Sequence, residues 1–177
     1  MDVLNLLAVL GALGAATFTG WQALQANKQF SQESLFRKRE RSASYSVHKN
    51  PEYHEARLTL ANHFGSFAGR ESPVELTKIR AAIRSKRISD RDIVRVLSHW
   101  ERMCVEIDLG LADEKAAFEI NKITMTNTYF ALREYIEERM SREPLSYPRF
   151  SKTGEAWLER RRRLESGDDL PWYVRRS

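Results

Sequence analysis

The chain has 177 residues, 42% of them hydrophobic and 30% charged, with a formal net charge of +5. This supports one modest domain with an appendage, and the single cysteine, Cys104, excludes an intramolecular disulfide and a cysteine-based zinc site. The charge is uneven: residues 28–49 carry six bases and two acids, residues 144–177 eight and five, and residues 50–143 fifteen and sixteen; a domain that bound nucleic acid over its whole surface would not leave its main body neutral.

The first element is apolar. No residue from Val3 to Asn27 is charged. That run exceeds the ~20 residues a helix needs to cross ~30 Å of hydrocarbon. Its polar residues, Asn5, Thr17, Thr19 and Gln22, are tolerable because a helix satisfies its own backbone. A secretory signal begins with positive charge and ends in a small-x-small cleavage site. Here the start is Met1-Asp2, and Leu24-Gln25-Ala26 puts a bulky residue where a small one is needed. Residues 1–27 are therefore predicted to be a retained transmembrane anchor, against the alternatives of a cleaved signal and a buried helix. The basic flank follows the segment, beginning with Lys28 and "FRKRER", which predicts the N-terminus outside and the remainder cytoplasmic.

Small residues recur every four positions along this anchor. Ala8, Ala12, Ala16 and Gly20 form one ridge, and Gly11, Ala15, Thr19 and Ala23 a second beside it. Such a face lets two helix backbones approach closely in lipid. A second copy of the chain or another membrane protein is the expected partner, although alanine and glycine are common in membrane helices in any case.

Trp21 to Asn50 contains neither glycine nor proline. The helix is expected to continue through about Val47 as a basic stalk, residues 28–49, ~67 Å from its start at residue 3. A helical domain is expected over residues 50–165 and an irregular tail over 166–177. Asn50-Pro51 opens one helix, closed by Gly65 and Gly69. Ser72, Pro73 and Glu75 have the pattern of a capping box at the start of the next, whose buried stripe is Leu76, Ile79 and Ile83. Ser89 restarts the chain before Ile93, Val96, Leu97, Trp100, Met103, Cys104 and Ile107, the most regular amphipathic pattern in the sequence. Gly110 caps its end. Asp113 opens a helix to about Met140, with Ile120, Ile123, Tyr129, Leu132 and Ile136 inward and a kink or break at Thr124–Thr128. Residues 142–150 hold two prolines and are expected to be a loop. A last helix, residues 152–165, carries Trp157 and Leu158 on one side. The fold class is all-α: a transmembrane helix continuing into a stalk, plus a small cytoplasmic bundle.

Two basic clusters offer surfaces for anions. Arg37, Lys38, Arg39 and Arg41 lie on the stalk, and Arg160, Arg161, Arg162 and Arg163 in "ERRRRLE". A solvated helix end is the plain reading of the second cluster. Anionic lipid headgroups are the stronger functional reading for a domain tethered near a negative leaflet. Nucleic acid is the weaker one, because flanking acids dilute the field. Glu101 borders the buried stripe and is expected to pair with Arg139 or Arg133, or to bond a neighbouring helix end, rather than act as a base. His48, His54, His63 and His99 form no metal-ligating spacing, and Cys104 reads as a small core residue. No metal or cofactor is expected.

The stretches "VLSHWERMCVEIDLGLADEKAAFEI", "TYFALREYIEERM" and "YPRFSKTGEAWLERR" resemble an uncharacterised bacterial family, domain of unknown function 4760. The matching residues are Trp100, Glu101, Ile107, Gly110, Asp113, Glu114, Ile136, Arg139, Tyr147, Phe150 and Trp157. The resemblance covers residues 93–161, and the anchor by type only. It implies a membrane-anchored helical protein and brings no activity with it; the expected location is the bacterial inner membrane. The expected function is a non-enzymatic, self-associating scaffold or regulatory module facing the cytoplasm. The alternative is a bacterial or phage conflict protein, acting in phage exclusion or as a membrane-active toxin.

Overall fold

The computed structural model of the chain describes residues 3–46 and 49–166, with side chains at Phe18 and from residue 20 onward. Among the described residues there are six helices and no strand: α1 (Val3–Ser44), α2 (Pro51–Phe64), α3 (Leu76–Arg84), α4 (Asp90–Asp108), α5 (Glu114–Arg142) and α6 (Pro148–Ser166). The chain divides into two compact units, Met1–Lys38 and Arg39–Ser177.

In the first unit, α1 exposes Phe18, Trp21, Leu24, Phe30, Leu35 and Phe36. Among the described residues, no helix is long and apolar enough to cross a membrane. Most of the uncharged run, however, and with it Ala8, Gly11, Ala12, Ala15, Ala16 and Thr19, lies outside the residues whose side chains are described. Gly20 and Ala23 are exposed. Arg37 pairs with Glu33 one turn away.

The second unit begins at Arg39, within the last two turns of α1 and inside the expected 28–49 stalk. The helix stops at Ser44 rather than near Val47, because Tyr45 turns into the core and is buried. Val47, His48 and the tail from residue 167 lie outside the described residues. The start of α2 is dictated locally: the Asn50 carboxamide accepts a bond from Tyr53 N–H at 3.0 Å, and Pro51 takes the first helical position. Tyr53, Ala56 and Leu60 form its buried face. Arg70 then donates to the carbonyls of Phe64 (3.0 Å) and Ser72 (3.2 Å), closing the end of α2.

The capping box expected at Ser72–Glu75 does not form. Val74 is buried and its N–H donates to the Ala131 carbonyl of α5 at 2.9 Å, which keeps the segment extended. The helix starts later, at Leu76, whose N–H is capped by the Glu134 carboxylate of α5 at 2.8 Å. A tertiary acceptor thus takes the place of the local cap.

At α4 the box does form, with Ser89 and Asp92 exchanging bonds. Ile93, Val96, Leu97, Trp100, Met103 and Cys104 are fully buried, and Ile107 is partly buried against them. Gly110 adopts a left-handed φ of 68°, where a side chain would be strained. The Glu106 carbonyl accepts from Leu111 and Ala112, turning the chain into α5.

α5 runs through Thr124–Thr128 without a break. Thr126 and Thr128 donate back to the carbonyls of Lys122 and Thr124, so their hydroxyls are buried already satisfied. Of the five residues expected inward, Tyr129, Leu132 and Ile136 are buried and two are not. Ile120 and Ile123 are 47% and 60% exposed, while Phe118, Asn121, Met125, Thr128, Tyr129, Leu132, Tyr135 and Ile136 are buried. Of the remaining core candidates, Ile79 and Trp157 are buried, and Leu76 and Ile83 are partly buried against the core.

The last helix opens four residues earlier than its pattern suggests. Tyr147 takes a φ of 60° and Pro148 begins α6, a position that suits proline's fixed φ and missing N–H. α6 packs on α5 at Gly154, where an added Cβ would lie 2.6 Å from Tyr129 Cγ and 2.7 Å from Cδ2. These atoms sit at the base of the Tyr129 ring, which is buried on α5 and cannot yield freely. Gly154→Ala is therefore expected to destabilise the protein by about 1–3 kcal/mol, the usual cost of overpacking. A urea melt measures it; an unchanged midpoint would mean that α6 is not seated on Tyr129 at this point.

Candidate functional site

The polar side chains of the domain converge where the last turn of α1, the start of α2 and the middle of α4 meet. Glu106 of α4 is buried, yet it accepts two bonds from Arg41, from Nε at 2.8 Å and Nη2 at 2.7 Å. This planar, two-point pairing is the strongest geometry available to a carboxylate. The Arg41 guanidinium holds the Glu106 carboxyl below its usual range, with Tyr45 contributing a further hydrogen bond. Tyr45 is in turn pushed up by burial and by Glu106. One residue on, the buried Ser42 Oγ donates to the Asp113 carbonyl and accepts from the Asp113 N–H, both at 2.9 Å. Asp113 meanwhile caps α5 through Ala116 N–H at 2.7 Å.

His99 is buried beside this clamp, stacked on Tyr53 with ring centroids 4.1 Å apart and edge-on to Trp100 at 4.8 Å. Its Nε2 lies 3.1 Å from the Tyr45 carbonyl, which can only accept, so Nε2 carries the proton. Its Nδ1 then accepts from Asn50 Nδ2 at 3.3 Å. Asn50 thus does two things at once: its oxygen caps α2 and its nitrogen orients the imidazole. Burial, more than any charge nearby, lowers the histidine to about 4, so the ring is neutral near pH 7.

Over this layer lies a pocket of about 560 Å³, to which Arg41, Lys49, Asn50, Arg95, Ser98, His99, Arg102 and Glu106 contribute. Both oxygens of Glu106 and both ring nitrogens of His99 are committed to partners. Lys49, Arg95 and Arg102 remain as exposed side chains with donors to offer. Arg95 has only Asp92, at 3.9 Å. Residues 95, 98 and 102 share one face of α4 by their spacing, and Lys49 joins them from the connection before α2.

The other candidate residues lie apart. Arg160 stacks over the Phe118 ring at 3.9 Å. Arg161 bonds Thr126, Asn127 and Glu165, and Arg163 pairs with Glu159. These three arginines bind their own domain; Arg162 is exposed. Of the stalk bases, Arg41 is drawn into the clamp and Arg39 is exposed. Glu101 pairs with neither Arg139 nor Arg133. Its carboxylate caps α6, accepting from Phe150 N–H at 2.7 Å, with Arg149 N–H at 3.4 Å. Those arginines pair instead with Glu143 and Glu137 on their own helix. Cys104 is buried, and burial pushes its thiol up to about 12. His54 and His63 are exposed, and among the described residues no three His, Cys, Asp or Glu side chains are grouped to hold a metal ion.

The class so defined is an all-α domain with a carboxylate–guanidinium clamp at its entry helix and a cation-lined pocket above a neutral buried histidine. The chain belongs to the family described as "Domain of unknown function (DUF4760)", whose model matches residues 6–157. No curated protein and no solved structure matches it.

Proposed function

We propose that this protein is a single-pass, membrane-anchored interaction module of the bacterial inner membrane, with its N-terminus outside and its helical domain in the cytoplasm, acting as a scaffold or regulator without catalysis. The observation that carries this reading is the uncharged run Val3–Asn27 followed by a surplus of four positive charges over residues 28–49. The two small-residue ridges around Ala12, Ala16 and Gly20 supply a face for a second copy or another membrane protein. Arg37, Lys38 and Arg39 supply charge for anionic headgroups.

A topology reporter pair tests this. A cytoplasm-active reporter fused after Ser177 is expected to be active and a periplasm-active one silent. Periplasmic activity would reverse the orientation, and recovery of the fusion in the soluble fraction would remove the anchor.

A further inference from the structure

We propose that the pocket between the end of α1, the start of α2 and α4 binds a phosphate group, held by Lys49, Arg95 and Arg102. Four cations line it against two carboxylates, Glu52 and Glu106, and Glu106 is saturated by Arg41. Among the described residues, the Lys49 and Arg102 side chains have no ion-pair or hydrogen-bond partner, and the one carboxylate near Arg95 stands 3.9 Å away. The surplus of two positive charges matches a phosphate dianion.

The donor types fit as well. Two guanidinium groups a little under two turns apart on one helix face offer planar forks for phosphate oxygens, and a lysine ammonium from the adjoining segment adds a point charge. The first turn of α2 brings the positive end of its dipole to the same place. The floor is rigid, because Asn50, His99 and Tyr45 are bonded to one another. Ordering on binding is therefore confined to the three exposed side chains that hold the phosphate. It stands on the pocket alone and does not depend on the anchor, so it can fail while the topology above holds, and the reverse.

The phosphate can be that of a lipid headgroup or of a soluble phosphomonoester. The test uses the full chain in phosphatidylcholine nanodiscs, with and without phosphatidic acid, and inorganic phosphate as the soluble probe. Calorimetry is expected to show saturable phosphate binding that weakens with added salt. The double variant Arg95→Gln/Arg102→Gln should bind roughly tenfold more weakly or worse, as each lost charge-assisted contact predicts, with an unchanged thermal midpoint because both side chains are exposed. Lys115→Gln, an exposed cation on α5 away from the pocket, should bind like the parent. A lipid source is identified if phosphatidic acid abolishes phosphate binding in the parent; a soluble source is identified if it leaves that binding intact. Absence of phosphate binding in phosphatidylcholine alone, equal binding by the double variant, or an equal loss with Lys115→Gln would each overturn the assignment.

Discussion

Trp100→Ala is expected to unfold the helical domain or to lower its stability by ~3–5 kcal/mol, the range for removing a large aromatic ring from a core. The ring is fully buried and meets Tyr53 edge-on with centroids 5.3 Å apart, and His99 at 4.8 Å. Its Nε1 makes no hydrogen bond with the described residues. The substitution therefore breaks no hydrogen bond, and the packing loss is offset only in part by removing a buried donor that has no partner. Against a total of ~5–15 kcal/mol for a domain of this kind, the effect is large. The measurement is a urea or thermal melt of the full chain. A fragment beginning at residue 49 would be the wrong object, since it lacks Arg41, Ser42 and Tyr45, which belong to the domain. An unchanged midpoint would place Trp100 outside the core and remove the packing of α2 on α4.

Acidification is expected to produce the second large effect. A histidine in the unfolded chain titrates near 6.5, whereas burial holds His99 at about 4, with Arg102 adding repulsion and the bond to the Tyr45 carbonyl opposing both. The folded pKa is depressed, so the unfolded chain binds the proton first. The stability tied to the neutral ring is complete above pH 6.5 and is lost progressively as pH falls to about 4, by roughly 3 kcal/mol over that window. The lowered carboxyl of Glu106 acts in the same sense but at more acid pH, below its ordinary value of 4.5. Urea midpoints between pH 7 and 4 report the slope. His99→Gln can still donate to the Tyr45 carbonyl and accept from Asn50, and it does not titrate. The slope between pH 6.5 and 4 should flatten in that variant; an identical slope would assign the acid sensitivity elsewhere.

Which parts of this fold are legible in the sequence follows from how far each determinant lies along the chain. The starts of α2, α4 and α5 are readable because Asn50, Ser89 and Asp113 cap amides two or three residues away. The start of α3 is not, because its cap is Glu134, 58 residues downstream. Glu101 illustrates the same limit: a carboxylate beside a buried stripe has several acceptable partners, and the one used is a helix end 49 residues away. On α5 the apolar pattern places Tyr129, Leu132 and Ile136 inward, as they are, and fails only in the first half of the helix. Thr126 and Thr128 can be buried because each hydroxyl is satisfied by its own helix, while Ile120 and Ile123 are left outside. The pocket is the least legible feature. Lys49, Arg95 and Arg102 look like ordinary surface bases until α2 and α4 are packed together, and the denser arginine run at 160–163 draws attention away from them.

The pairing of Ser42 with Asp113, 71 residues apart, has a consequence for how the chain is made. A ribosome delivers α1 first and α6 last. When the last turn of α1 emerges, the groups that complete it, Glu106 and Asp113, have not yet been synthesised. Glu101 in turn waits for the Phe150 amide, and Tyr129 for Gly154. No early segment can close the domain by itself, so α1 leaves the exit tunnel well before the domain has folded, and the faces of α4 and α5 that α6 covers stay open until residues 148–157 follow. Nascent chains arrested short of that point should be the ones that chaperones hold and proteases remove.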